Sequence, residues 1–175
     1  MYKLISTTNI SDGVTFVSIE GCFTSDYDVY LVNGVDFENN TSSAGIDFRF
    51  LDESNGEITD STYQAGKLSI FSYAANAASS QANANYIDRI ADMESFTTGL
   101  PATIQMYVFN PYSNSDYTNA TLEGNSTNGT NHITTKSFVS LNQDTRVTGM
   151  KFYLDNTSSR SFKSGTIDVY GLEIV

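Results

Sequence analysis

The chain has no tryptophan, one cysteine, one histidine and two prolines among its 175 residues, and each scarcity removes a class of protein. The lone Cys22, in IEGCFTS, cannot close an internal disulfide, and beside Phe23 it reads as a small buried apolar residue. Metal centres built from His and Cys are out of reach by count. Catalysis of the Ser-His or Cys-His kind would have to pass through His132, in TNHITTK, where no nucleophile and orienting group accompany it. His132 therefore reads as an exposed histidine at the start of a strand. Cations are scarce too: nine Lys and Arg stand against 20 Asp and Glu, a net charge of −11. A phosphate backbone is repelled by such a surface, so no nucleic-acid partner is expected. No run of about 18 apolar residues occurs and MYKLISTTNI holds no signal-peptide core, so no membrane partner is expected and synthesis in a cytosol is. The phosphate-cradling pattern GxxxxGK is absent as well.

What is present favours strands. The composition is 39% hydrophobic and 13% aromatic, with 11 Tyr and 11 Phe, enough for a packed globule. Thr, Tyr, Phe, Val and Ile suit a pleated surface, and the abundant Asn, Ser and Gly suit turns. The length predicts one domain over 1–175, burying about 70% of the unfolded chain's surface. Period-2 alternation recurs in YKLISTTNI, GVTFVSIEG, DYDVYLVNG, PATIQMYVFN, DYTNATLEG, HITTKSFVSL and RVTGMKFYLDN. In AGIDFRFLDESNGEITDSTY the residues Ile46, Phe48 and Phe50 alternate with Asp47, Arg49 and Leu51 before Asn55-Gly56, which predicts a tight hairpin with a return strand over Thr62 to Tyr73. About nine or ten strands fit, at the spacing of a sandwich or barrel.

Residues 74–96 depart from this pattern. Their alanines favour a helix, and Tyr86, Ile87, Ile90 and Met93 fall near helical spacing, so a long connection with at most a short helix is expected there, a candidate interaction element. Near Gly56 the carboxylates Asp52, Glu53, Glu57 and Asp60 cluster, but the calcium-loop pattern fails, with Leu51 at the first ligand position and Thr62 at the last. They read as a polar hairpin tip. No metal and no cofactor is expected. Paired carboxylates for glycoside hydrolysis depend on spatial separation, and the acidic residues here sit in turns and on polar strand faces, so no enzyme is expected.

The last stretch, FKSGTIDVYGLEI, changes phase. Ile167 and Val169 share one parity, Leu172 and Ile174 the other, and the slip falls at Tyr170-Gly171. A β-bulge there, with Gly171 in an unusual backbone conformation, would return all four aliphatics to one core. This strand is expected inside a sheet beside an early strand, with the chain ends close together.

Taken together, YKLISTTNISDGVTFVSIEG, SDYDVYLVNGVDF, GIDFRFLDESNGEITDSTYQAG, ATIQMYVFNPYSNSDYTNATLEGNS and RVTGMKFYLDNTSSRSFKSGTIDVYGLEI resemble the small jelly-roll virion proteins of tailed bacteriophages, particularly marine phages of cyanobacteria. The likeness covers nearly all of the chain apart from Ala74 to Phe96. It implies an all-β, antiparallel jelly-roll β-sandwich of about 8–10 strands, located in the virion after synthesis in the host cytoplasm. It also implies assembly with itself as a homotrimer and with other virion proteins, as a capsid decoration or cement subunit. A tail, baseplate or fibre appendage that binds host-surface glycan is the alternative. No catalytic residue comes with the resemblance. For glycan contact the first residues to consider are Tyr107, Tyr112, Tyr117 and Tyr153, since tyrosine with neighbouring Asn and Asp suits sugar hydroxyls.

Overall fold

The structure, a computed structural model, describes residues 1–40, 44–59, 63–72, 77–84, 93–154 and 160–173, with the backbone alone at 77–84 and 93–96. Among them are twelve strands and no helix: β1 (Tyr2–Asn9), β2 (Phe16–Ile19), β3 (Val29–Asn39), β4 (Ala44–Leu51), β5 (Tyr63–Ser72), β6 (Ala77–Ala84), β7 (Met93–Phe96), β8 (Ala102–Phe109), β9 (Thr118–Thr127), β10 (His132–Leu141), β11 (Gly149–Leu154) and β12 (Phe162–Leu172). Every pairing is antiparallel. The larger sheet has the order β1-β12-β3-β8-β9-β10-β5-β6, the smaller β2-β11-β4-β7. The chain alternates between the sheets from β1 to β4 and again at β7 to β8 and β11 to β12; β5–β6 and β9–β10 are excursions that widen the larger sheet.

Side-chain periodicity explains the layers. Along β8, β9 and β10 buried and outward residues alternate strictly, as a half-buried strand requires. The inward residues of both sheets meet in one apolar cluster: Tyr30, Val32, Phe37, Ile104, Met106, Val108, Ile167 and Val169 from the larger sheet, and Ile19, Phe48, Phe50, Met150, Phe152 and Leu154 from the smaller. Two antiparallel sheets sharing one core make a β-sandwich.

Three expectations need correction. The chain does reverse at Asn55, whose φ is 61°, but the return lasts for a single bridge, Leu51 to Glu57. The next strand, β5, then crosses to the other sheet and pairs with β10 and β6. Turn chemistry dictates the local reversal and not the partner; here Tyr63 crosses the core to stack on Phe50, its hydroxyl oxygen accepting from the Phe50 amide at 3.2 Å.

The connection expected over 74–96 holds two strands. Residues 77–84 pair with β5 along their whole length, so ladder hydrogen bonds override the helix preference of alanine. Met93 opens β7, whereas Tyr86, Ile87 and Ile90 lie outside the described residues.

Finally, β12 carries no bulge at Gly171. Its pairing with β3 is regular from Thr166 to Gly171, and inward positions run Ile167, Val169, Gly171 without a change of phase. The extra residue sits in the partner strand, where β1 slips between Leu4 and Ser6. Gly171 is a glycine for lack of space: a Cβ there would lie 2.6 Å from two atoms of the Tyr27 ring. Leu172 accordingly stays half-buried on the outer face, and Ile174 lies outside the described residues. The expected placement holds, with β12 between β1 and β3 and the Met1 ammonium donating to the Glu173 carbonyl at 3.0 Å.

Candidate interaction surface

The outer face of the larger sheet gathers side chains from strands remote in sequence. Pairing register sets Leu4, Tyr170, Leu31, Tyr107, Thr121, Phe138 and Gly66 side by side across seven strands. The adjacent row on the same face is Thr7, Asp168, Asn33, Gln105, Glu123, Lys136 and Leu68. One row is mainly apolar and aromatic, the other mainly polar.

Contacts organise the two rows. The Tyr2 and Tyr107 hydroxyls lie 3.2 Å apart, and the Tyr2 ring meets that of Tyr170 edge-on at 6.4 Å. The hydrogen bond to Tyr2, helped by burial, pushes the Tyr107 phenol above its ordinary value. Asp168 accepts from Thr7 Oγ1 at 2.6 Å and from the Tyr170 hydroxyl at 3.4 Å. Farther along, Lys136 Nζ and Glu123 Oε2 pair at 3.1 Å, both side chains well exposed. Gln105, Tyr107, Thr121, Leu122, Glu123 and Lys136 border a shallow depression of about 350 Å³. At the far end Phe138, 57% exposed, lies over the bare backbone of Gly66, with Leu68 and Ile70 exposed beside it at 36% and 41%.

The four tyrosines named from sequence do not converge. Tyr107 borders the depression. Tyr112 lines a separate hollow of about 240 Å³ with Ser25, Tyr27, Asp28, Asn110 and Asp116, and the Arg146 guanidinium lies 5.3 Å from its ring centre. Tyr117 precedes β9 and is 50% exposed. Tyr153 belongs to the outer face of the smaller sheet, where Glu57 accepts from Lys151 at 2.6 Å and from Arg49 at 3.2 Å and the Lys151 ammonium sits 3.8 Å from the centre of the Phe16 ring. Burial, and then the Glu57 carboxylate, push the Tyr153 phenol far up. This cluster pairs charges on a strand face. Tyr2, Tyr170, Gln105 and Lys136 escaped sequence reasoning because only pairing register brings them to Tyr107.

The chemistry-bearing residues singled out from sequence have local roles. His132 is exposed at the start of β10, its backbone amide donating to Ser72 Oγ at 2.9 Å. Cys22 is buried, and burial pushes its thiol to about 12. Asp52 organises the turn, accepting from the Ser54 amide at 2.8 Å, the Ser54 hydroxyl at 2.7 Å and the Gly56 amide at 2.9 Å. Glu53 pairs with Arg146 at 3.1 Å, and Asp60 lies outside the described residues. Among the described residues no three His, Cys, Asp or Glu side chains gather to hold a metal ion. Comparison of the chain with family models, with curated proteins and with solved structures returned no match.

Proposed function

We propose that this chain is a non-enzymatic building block of a tailed-phage virion, a jelly-roll sandwich that acts as a homotrimeric capsid decoration or cement subunit through protein–protein contact. The order β1-β12-β3-β8 opposite β2-β11-β4-β7 supports the jelly-roll reading, since early and late strands interleave in both sheets as in two Greek keys wound together. The placement in a virion rests on the resemblance of the sequence.

The observation that carries assembly is the cluster of Phe138, Leu68 and Ile70, large apolar side chains left exposed on the outer face of neighbouring strands β10 and β5. Such contiguous apolar surface marks contact sites, whereas scattered exposed residues do not. Sedimentation velocity and particle binding test the reading. The expected result is a trimer that coats capsids in hundreds of copies, and Ile70→Glu with Phe138→Glu should yield a folded monomer that no longer coats them. A monomer at every concentration, indifferent to capsids, would sink the proposal.

The depression beside Tyr107 favours a second reading, an appendage subunit that recognises host-surface glycan, because hydroxyl, amide and charged groups line it around an aromatic side chain.

A further inference from the structure

We infer that the Tyr107 depression and the two rows crossing it form a binding site for a neutral, extended, β-linked oligosaccharide lying across the strands. This rests on the glycan-recognition reading and specifies its site and ligand. Tyr170 on β12 and Tyr107 on β8 occupy the same row two strands apart, with Leu31 between them. Strands lie about 4.8 Å apart, so the two tyrosines are rooted about 9.6 Å apart, the length of two pyranose residues in an extended β-linked chain. Pyranose faces are apolar and stack on aromatic rings, while the hydroxyls at their edges need donors and acceptors alongside. The adjacent row provides both: Asp168, Asn33, Gln105, Glu123 and Lys136 in continuous register. Those five strands span four spacings, about 19 Å, room for about four sugar units.

Charge selects the ligand class. Along that row Asp168 and Glu123 oppose the single cation Lys136, already paired with Glu123, in a molecule of net charge −11. A sulfated, uronic or sialylated chain would meet repulsion over this surface, and a neutral one would not. Leu68 and Ile70 stand on β5, one strand beyond Lys136, while Phe138 shares β10 with it, so the apolar cluster borders the end of the sugar-binding rows and an oligosaccharide of about four units ends at β10.

Calorimetric titration with cellotetraose, xylotetraose and mannotetraose tests the assignment, beside affinity electrophoresis through gels holding hydroxyethylcellulose, xylan or glucomannan. One series should bind, with affinity rising from the disaccharide to the tetrasaccharide and then levelling. Tyr107→Ala and Tyr170→Ala should each weaken it at least tenfold, Tyr107→Phe should retain it, and Tyr117→Ala, off the row, should leave it unchanged. Unaltered circular dichroism would exclude unfolding as the cause. Binding indifferent to Tyr107 and Tyr170, or a face occluded by a second copy that Tyr107→Ala releases in sedimentation, would overturn the site. Glycan-array binding lost on Tyr112→Ala alone would leave the recognition reading standing while removing this site. Silence from the array and the gels alike would remove both.

Discussion

Replacing Gly171 with alanine tests whether the last strand holds a glycine for space or for backbone geometry. Gly171 pairs with Tyr30 in the interior of the larger sheet, and the Tyr27 ring fills the room a side chain would occupy. That ring is itself set edge-on against Tyr30 at 5.8 Å. A methyl group whose Cβ would lie 2.6 Å from two Tyr27 ring atoms must displace the ring or the strand. Overpacking of this kind costs about 1 to 3 kcal/mol, and the better strand entropy of alanine returns about 0.5 to 1. The net loss should be about 1 to 2 kcal/mol, a fall in Tm of about 5 °C for a chain of this size. Tyr27→Ala alone, removing a half-buried ring, should cost about 2 kcal/mol. Because the added methyl then occupies vacated space, the double variant should cost about 2 kcal/mol as well, short of the sum by about 1 or more. Urea unfolding followed by circular dichroism and tyrosine fluorescence measures all three, the chain having no tryptophan. Additive losses within about 0.5 kcal/mol, or a neutral Gly171→Ala, would refute the steric account.

The ion cluster on the smaller sheet should be visible in the pH dependence of stability. Burial alone would raise the Glu57 carboxyl, but the Lys151 ammonium and Tyr153 hydroxyl that face it, with the Arg49 charge, outweigh burial and hold it below its ordinary value. A carboxyl depressed by folding contributes stability fully above its unfolded value, about 4.3, and loses that contribution as pH falls through the folded value. Glu57→Gln should therefore cost about 1 kcal/mol at neutral pH and much less in acid; urea midpoints that differ equally at both would contradict this. Cys22, with its thiol raised to about 12 by burial, should remain protonated and silent to a thiol-disulfide reagent at mildly alkaline pH in the native protein. It should titrate as one equivalent in urea, and rapid labelling without denaturant would show that the site opens.

Period-2 alternation was legible wherever one face of a strand meets the core and the other meets water. β10 runs from His132 to Leu141, as its sequence pattern indicates, and β8 and β9 follow theirs within two or three residues. Partners were less legible. Asn55-Gly56 announces a reversal, yet the neighbouring slot along β4 belongs to β7, and β5 finds its ladder in the other sheet. At Gly171 the period misled, because a glycine at a buried position resembles a polar residue in a hydrophobicity pattern and imitates a change of phase. The bulge exists, one strand away in β1, where Ile5 gives no compositional sign of it. Of the site, Tyr107 was visible as an aromatic residue on a polar strand face. Its link to Tyr2 spans 105 positions and depends on β12 and β3 lying between β1 and β8. No local pattern encodes such a juxtaposition.

The excursion β9–β10 explains why this sandwich has a surface of its own. The shared core is drawn chiefly from β12, β3 and β8 of the larger sheet and β2, β4 and β11 of the smaller, strands that belong to the interleaved orders β1-β12-β3-β8 and β2-β11-β4-β7. Tyr107 stands on β8, the last larger-sheet strand of that set, so without further strands it would face an open edge. β9 and β10 supply the missing wall with Thr121, Glu123 and Lys136, and β10 with β5 supplies the exposed Phe138, Leu68 and Ile70. Their inward residues Ala120, Leu122, Ile133 and Leu141 are buried beneath, so each strand of the excursion both extends the core and builds the face above it. Changes to the outward set therefore need not disturb the packing below. Lys136→Glu, which leaves the inward alternation of β10 intact, should alter what the face binds while the fold persists.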